Sequence, residues 1–220
     1  MAEAKTQKPI NKGMFVTNYL QSNKRNVYFV RHGESKTNAK GTFGTDGDLT
    51  PTGIKQAQRA GIDFDEPERP FMAICSDKLR AIETIFTMFP TRSNFVIDRR
   101  FREINFGELE GQQITPKIEK EIQSKPLLIR EKYLGDDIIK RTDEAIKAVR
   151  DYLLISDLDL VIVGHDTLFE LIFLRLGVYK GKEFRLWTPK YKMANGEVRS
   201  VDSNLFFEQE EEKEDEKESN

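Results

Sequence analysis

Short apolar runs along the chain alternate with longer stretches in which apolar side chains recur every three or four residues. Asn26–Arg31 (NVYFVR) is short, β-branched and aromatic, the composition of a buried strand. Met72–Ser76 (MAICS), Phe95–Asp98 (FVID) and Asp159–Gly164 (DLVIVG) share that character. Runs without polar alternation are typical of strands covered on both faces, as in parallel sheets. Helical patterns lie between them. Thr52–Ala60 follows Leu49-Thr50-Pro51, with Thr50 as N-cap and Pro51 at the first helical position. Leu79–Met88 spaces Leu79, Ile82, Ile85 and Phe86 for one helix face. Asp136–Leu154 does the same with Ile138, Ala145, Ala148, Val149 and Tyr152. Thr167–Leu176 is apolar nearly all round, which predicts a buried helix. This order predicts a single α/β domain: a mostly parallel central sheet with helices on both faces.

Two segments are less regular. Gly111–Tyr133 is polar and contains Pro116 and Pro126, so a lid or helical excursion is expected there. Trp187–Phe207 reads as a hairpin turning at Asn195-Gly196. Residues 1–25 read as a flexible lead, 26–207 as the folded body, and 208–220 (EQEEEKEDEKESN) as an acidic, disordered tail. The tail has eight acidic and two basic side chains, and the lead five basic and one acidic. With −2 overall, the body between them is neutral, unlike a nucleic-acid binder. No apolar run approaches a membrane span, and MAEAKTQKPINKGM has no apolar secretory core, so a cytoplasmic protein is expected. The single cysteine, Cys75, excludes an intramolecular disulfide.

In open α/β sheets, ligands bind beyond the carboxyl ends of the strands. Three predicted strand ends carry suggestive residues: Arg31-His32-Gly33-Glu34, then Cys75-Ser76-Asp77 with Arg80 one turn on, then His165-Asp166. The chain holds two histidines, and both directly follow a buried-type strand. A phosphoryl group in transfer carries negative charge on its peripheral oxygens, which fixed cations stabilise. Arg31 and Arg80 can supply bidentate donors. One imidazole can attack phosphorus, a second can hydrogen-bond the same oxygens, and a carboxylic acid can protonate the leaving alkoxide. A cysteine-phosphatase loop needs five residues between cysteine and arginine, but Cys75 and Arg80 are separated by four. Cys75 is therefore read as a small buried apolar residue. Two histidines and one cysteine fit no usual metal-ligand set, so no metal or other cofactor is expected.

VYFVRHGESKTN resembles the signature of the histidine phosphatase (phosphoglycerate mutase-like) superfamily, in its R-H-G-E branch. Further likenesses follow in order: Leu49–Gly53 with Gln56-Ala57, Ser76–Thr84, Arg102–Gly107 with Glu110-Gly111, and Val161–His165. The resemblance implies that His32 is the phosphorylated nucleophile. It implies that Arg31, Arg80 and His165 complete the phosphate pocket, that Glu103 is the acid/base and that Asn38 helps to hold phosphate or substrate. The family usually has glycine after the second histidine, whereas this chain has Asp166. His165-Asp166 resembles the acid-phosphatase and phytase branch, where that aspartate is the proton donor, so the resemblance sets Asp166 against Glu103 for the role and adds it to the substrate-binding candidates; Glu103 is favoured because its motif is intact. Lys78 and Leu79 are transposed relative to the usual order, while Arg80 keeps its place.

Only 61 residues separate Glu103 from His165, fewer than the caging insert of the family's mutases requires. Water could then reach a phosphohistidine. The expected activity is hydrolysis of a phosphomonoester, on a small phosphorylated metabolite, without a metal. Two alternatives stay open: a phosphoglycerate mutase-type transfer, and a non-catalytic binding protein on the same fold. The stretch Arg130–Arg141 could line a substrate entrance or form a solvated helix face. Oligomeric state is not readable from the chain.

Overall fold

The computed structural model describes residues 25–62, 64, 70–124, 138–179 and 191–207, with 121–124 as backbone only. The acidic tail, the lead before Arg25, and residues 130–137 of the expected entrance stretch lie outside the described residues. Five strands form one sheet. They are β1 (Asn26–Arg31), β2 (Phe71–Cys75), β3 (Phe95–Ile97), β4 (Asp159–Gly164) and β5 (Val198–Asp202), in the spatial order β3-β2-β4-β1-β5. The first four are mutually parallel, and β5 runs antiparallel to β1. The helices are α1 (Lys36–Ala39), α2 (Pro51–Ile62), α3 (Leu79–Met88), α4 (Pro116–Ser124), α5 (Ile138–Ile155) and α6 (Asp166–Arg175).

Alternation along each strand divides the core into two layers. Val27 and Phe29 of β1, Ile74 of β2, and Leu160 and Ile162 of β4 pack with α5 and α6. Val30, Ala73, Cys75, Val161 and Val163 face the other way, against α2 and α3. Helices therefore cover both faces, as the continuous apolar runs require. All six residues of β4, the central strand, are buried.

The start of α2 follows its sequence signal: the Thr50 hydroxyl accepts from the Gly53 amide at 3.0 Å. The same hydroxyl donates to Glu34 Oε1 at 2.7 Å, tying α2 to the turn after β1. A Cβ on Gly53 would lie 2.1 Å from the Glu34 carbonyl oxygen, and one on Gly33 2.3 Å from the Gly53 oxygen. The two backbones touch directly, which explains why each segment carries glycine there.

The expected hairpin takes a different form. The turn exists, with Gly196 at φ +74°. However, β5 pairs with β1, residues 191–197 form no strand, and residues 187–190 of the expected hairpin lie outside the described residues. The reason is an unpaired β1 edge: Gly196 N donates to Arg31 O, and Arg31 N donates to Glu197 O. The irregular segment after Gly111 supplies α4, and residues 125–133 lie outside the described residues. Arg25, last residue of the expected lead, is buried and donates to the Leu153 carbonyl at 2.7 Å.

Candidate active site

The parallel register brings three strand ends together. Arg31 sits opposite Gly164 and Cys75 opposite Val163, so the residues after β1, β2 and β4 meet at one edge. The His32 amide donates to Gly164 O, and the Ser76 amide to Val163 O. The His32 and His165 rings lie edge to face, with centroids 5.1 Å apart. Both are buried.

Hydrogen bonds fix the state of each ring. His32 Nδ1 is 2.7 Å from the Gly33 carbonyl, which only accepts, so Nδ1 carries the proton. The Nε2 lone pair is left free, and Arg80 Nε–H donates to it at 3.0 Å. His165 is the reverse. Its Nδ1 accepts from Arg80 Nη2 at 3.2 Å, and its Nε2–H donates to Ser76 Oγ at 2.8 Å. Burial, reinforced by the Arg80 charge, holds both imidazoles well below their ordinary pKa. Each is therefore a neutral ring at neutral pH.

Arg80 enters from the first turn of α3 and is buried. Its Nη1 donates to Thr45 O at 3.3 Å and meets Asp46 Oδ1 at 3.2 Å. Arg31 closes the opposite side. It donates to the Met193 carbonyl, its Nη1 is 3.5 Å from Asp166 Oδ2, and its buried Nε has no partner among the described residues. That leaves a buried cationic donor beside the cleft without an acceptor, a state that an anion would relieve.

The two candidate acids stand in different surroundings. Glu103 Oε1 accepts from the amides of Ile104 (2.9 Å) and Leu168 (3.2 Å), the latter in the first turn of α6. Its other oxygen accepts no hydrogen bond from the described residues. Burial raises its carboxyl pKa, against the pull of these amides and of Arg80. Asp166 is also raised by burial, with Arg31 opposing. Both its oxygens are engaged, one by the Met193 amide at 2.7 Å and one by Arg31.

Arg31, His32, Asn38, Arg80, Glu103 and Asp166 line one open cleft, and His165 packs behind Arg80. Asn38 reaches it from α1, with Oδ1 accepting from the Ser35 amide at 3.2 Å and from Asn195 Nδ2 at 3.4 Å. Asp77 does not join them, because its carboxylate turns away to Arg102. Cys75 is buried in the α2/α3 core layer, where burial pushes its thiol up to about 12. Sequence reasoning missed the Thr45-Asp46 loop, Lys192 in the cleft wall and Asn195, whose amide also holds the His32 carbonyl at 2.9 Å. Asn195 carried only a turn signal and Asp46 only an Asp-Gly turn dipeptide.

Among the described residues, no group of three or more histidine, cysteine or acidic side chains is placed to hold a metal ion. Among the same residues, no helix is long and apolar enough to cross a membrane.

A protein of Hydrogenobacter thermophilus assigned as phosphoserine phosphatase 2 is 35% identical over 98 residues, 43% of this chain and 48% of that protein. The 6-phosphofructo-2-kinase/fructose-2,6-bisphosphatase of Caenorhabditis elegans is 43% identical over 61 residues, 27% of this chain and 13% of that protein. This chain thus matches less than half the length of either relative. Among solved structures, YhfR of Bacillus stearothermophilus shares the fold, with a TM-score of 0.68 at 24% identity over 80% of this chain and 90% of that one. The model of the histidine phosphatase superfamily (branch 1) matches residues 27–203, nearly the whole of the described fold, and the chain belongs to that family.

Proposed function

We propose that the chain is a phosphomonoester hydrolase that forms a covalent phosphohistidine at His32 and acts on a small phosphorylated metabolite. The observation that carries this reading is the state of His32. Its Nδ1 proton is locked on Gly33 O, so the Nε2 lone pair points at Arg80 on the cleft wall. A neutral imidazole in that tautomer is ready to attack phosphorus.

When a phosphate monoester enters, the Arg80 Nε–H moves from His32 Nε2 to a phosphoryl oxygen, and Arg31 Nε gains an acceptor. The His32 Nε2–P bond forms as the ester P–O bond breaks. The Glu103 carboxyl gives its proton to the leaving alkoxide. In the second half, Glu103 takes a proton from water, the water oxygen attacks phosphorus, and the N–P bond breaks to release inorganic phosphate. His165, donating to Ser76 and accepting from Arg80, positions the guanidinium. Countercharge comes from Arg31 and Arg80, with no metal invoked. The names of the two relatives, one for phosphoserine and one for fructose-2,6-bisphosphate, support a metabolite-sized ester. The proposed setting is the cytoplasm, with which a single buried thiol is compatible.

Rapid quench of the enzyme with a 32P-labelled ester tests the mechanism. Acid-labile, base-stable label should appear on wild type and be absent from His32→Ala. Turnover of p-nitrophenyl phosphate should survive EDTA. Undiminished turnover by His32→Ala sinks the assignment. Net transfer between the 2- and 3-positions of phosphoglycerate, faster than release of phosphate, would make the protein a mutase instead.

A further inference from the structure

Beyond the histidines and arginines, the wall of the same cleft carries an opposed pair of charges, Lys192 and Glu119. They come from separate parts of the chain. Glu119 lies in the first turn of α4, and Lys192 lies in the segment leading to the Asn195 turn. Lys192 Nζ is 3.9 Å from Glu119 Oε1, an ion pair beyond hydrogen-bonding distance. Both side chains are partly exposed, and pairs of that kind are weakly held. An incoming anion can therefore replace Glu119 with little loss.

The backbone under Lys192 is the opposite of loose. Its carbonyl accepts from Arg199 Nη2 at 2.9 Å. The next residue, Met193, is buried, gives its amide to Asp166 and takes a hydrogen bond from Arg31 on its carbonyl. The lysine is thus anchored to the same Arg31–Asp166 pair that borders the proposed phosphate pocket. Here a partly exposed cationic head is carried on a hydrogen-bonded backbone, in the wall of the cleft that a substrate would fill once its phosphate met Arg31 and Arg80.

We infer that Lys192 selects substrates bearing a second anionic group beside the scissile phosphate, and that this group displaces Glu119. The inference rests on the phosphatase reading above. A carboxylate and a second phosphate offer the same chemistry, and the choice of probes separates them.

The experiment measures kcat/KM for 3-phosphoglycerate (carboxylate), fructose 1,6-bisphosphate (second phosphate) and glycerol 3-phosphate (no second anion). Wild type should prefer an acidic ester to glycerol 3-phosphate. Lys192→Met should shrink that preference about tenfold, through KM rather than kcat, as expected for the loss of one charge-assisted contact. Lys192→Arg should retain it, and Glu119→Gln should widen it. Whichever acidic ester loses more in Lys192→Met identifies the second group. The same discrimination should be visible by calorimetry as binding to the His32→Ala protein, without turnover. An unchanged preference in Lys192→Met, in both kinetics and binding, overturns the assignment. Binding discrimination that depends on Lys192, with no turnover of any ester by wild type, upholds the site and sinks the phosphatase reading alone.

Discussion

One guanidinium holds two imidazoles in opposite tautomers: Arg80 Nε points at His32 Nε2, and Nη2 at His165 Nδ1. The pairing forces both rings to present acceptor nitrogens to the same cation, and burial keeps both neutral. The competition for the proton-donor role turns on similar detail. Glu103 and Asp166 are both pushed upward by burial, so pKa direction does not separate them. Occupancy favours the proposed Glu103, because Asp166 has both oxygens engaged while one Glu103 oxygen accepts no hydrogen bond from the described residues. Glu103→Gln should therefore slow alkyl phosphates by roughly 10²–10⁴ and p-nitrophenyl phosphate much less, since a good leaving group needs little protonation. Asp166→Asn should weaken both classes alike by loosening Arg31. The pH profile adds a sign. A raised carboxyl is an effective acid until pH climbs through its folded value, so alkyl-ester activity should fall along an alkaline limb that Glu103→Gln removes. If Asp166→Asn shows the leaving-group dependence and Glu103→Gln does not, the roles exchange.

The N-terminus of α3 shows what an element adds to its residues. Lys78, its N-cap residue, makes no side-chain cap. Asp46, from the loop after α1, supplies one instead: Oδ2 accepts from the Leu79 amide at 3.0 Å, while Oδ1 meets Arg80 Nη1. One carboxylate thus fixes the start of the helix and aims the arginine that the helix carries. Asp46→Asn keeps an acceptor for Leu79 but loses the charge that holds Arg80. It should raise the inhibition constant of vanadate several-fold, with a stability loss within about 1 kcal/mol. A large loss of stability with unchanged vanadate affinity would show that only the cap mattered. The sequence was silent on this contact because it joins residues 33 positions apart and follows no period. Where local pattern suffices, legibility was high. The four parallel strands, α2 with its Thr50 cap, and α3 all stand within a residue or two of their signals. The partner of β5 was misjudged for the reason Asp46 was missed. A turn dipeptide announces a reversal, but the choice of neighbour belongs to the open edge of β1.

Taken whole, the molecule is two apolar layers separated by a sheet, with its two histidines buried at the carboxyl edge of adjacent strands. That location was legible because both follow buried runs, and the parallel register does the rest. Burying them links folding to pH. The unfolded chain takes up protons at the ordinary imidazole value near 6.5, whereas the folded rings resist until well below it. Below that value the unfolded state binds more protons, so stability falls as pH drops, until the folded values are reached. Each ring contributes at most about 1.4 kcal/mol per pH unit across that window. Glu103 and Asp166 act with the opposite sign. Their raised folded values favour the native state as pH falls through those values toward the ordinary carboxylate range. The chain has no other histidine, so the two terms can be separated. Urea titrations at about pH 7 and pH 5.5 should show the wild-type midpoint falling on acidification. His165→Gln should lose part of that fall, and the double variant with His32→Gln most of it. Parallel shifts in all three proteins would mean that the rings are not held neutral, and would remove the charge state on which the proposed nucleophile depends.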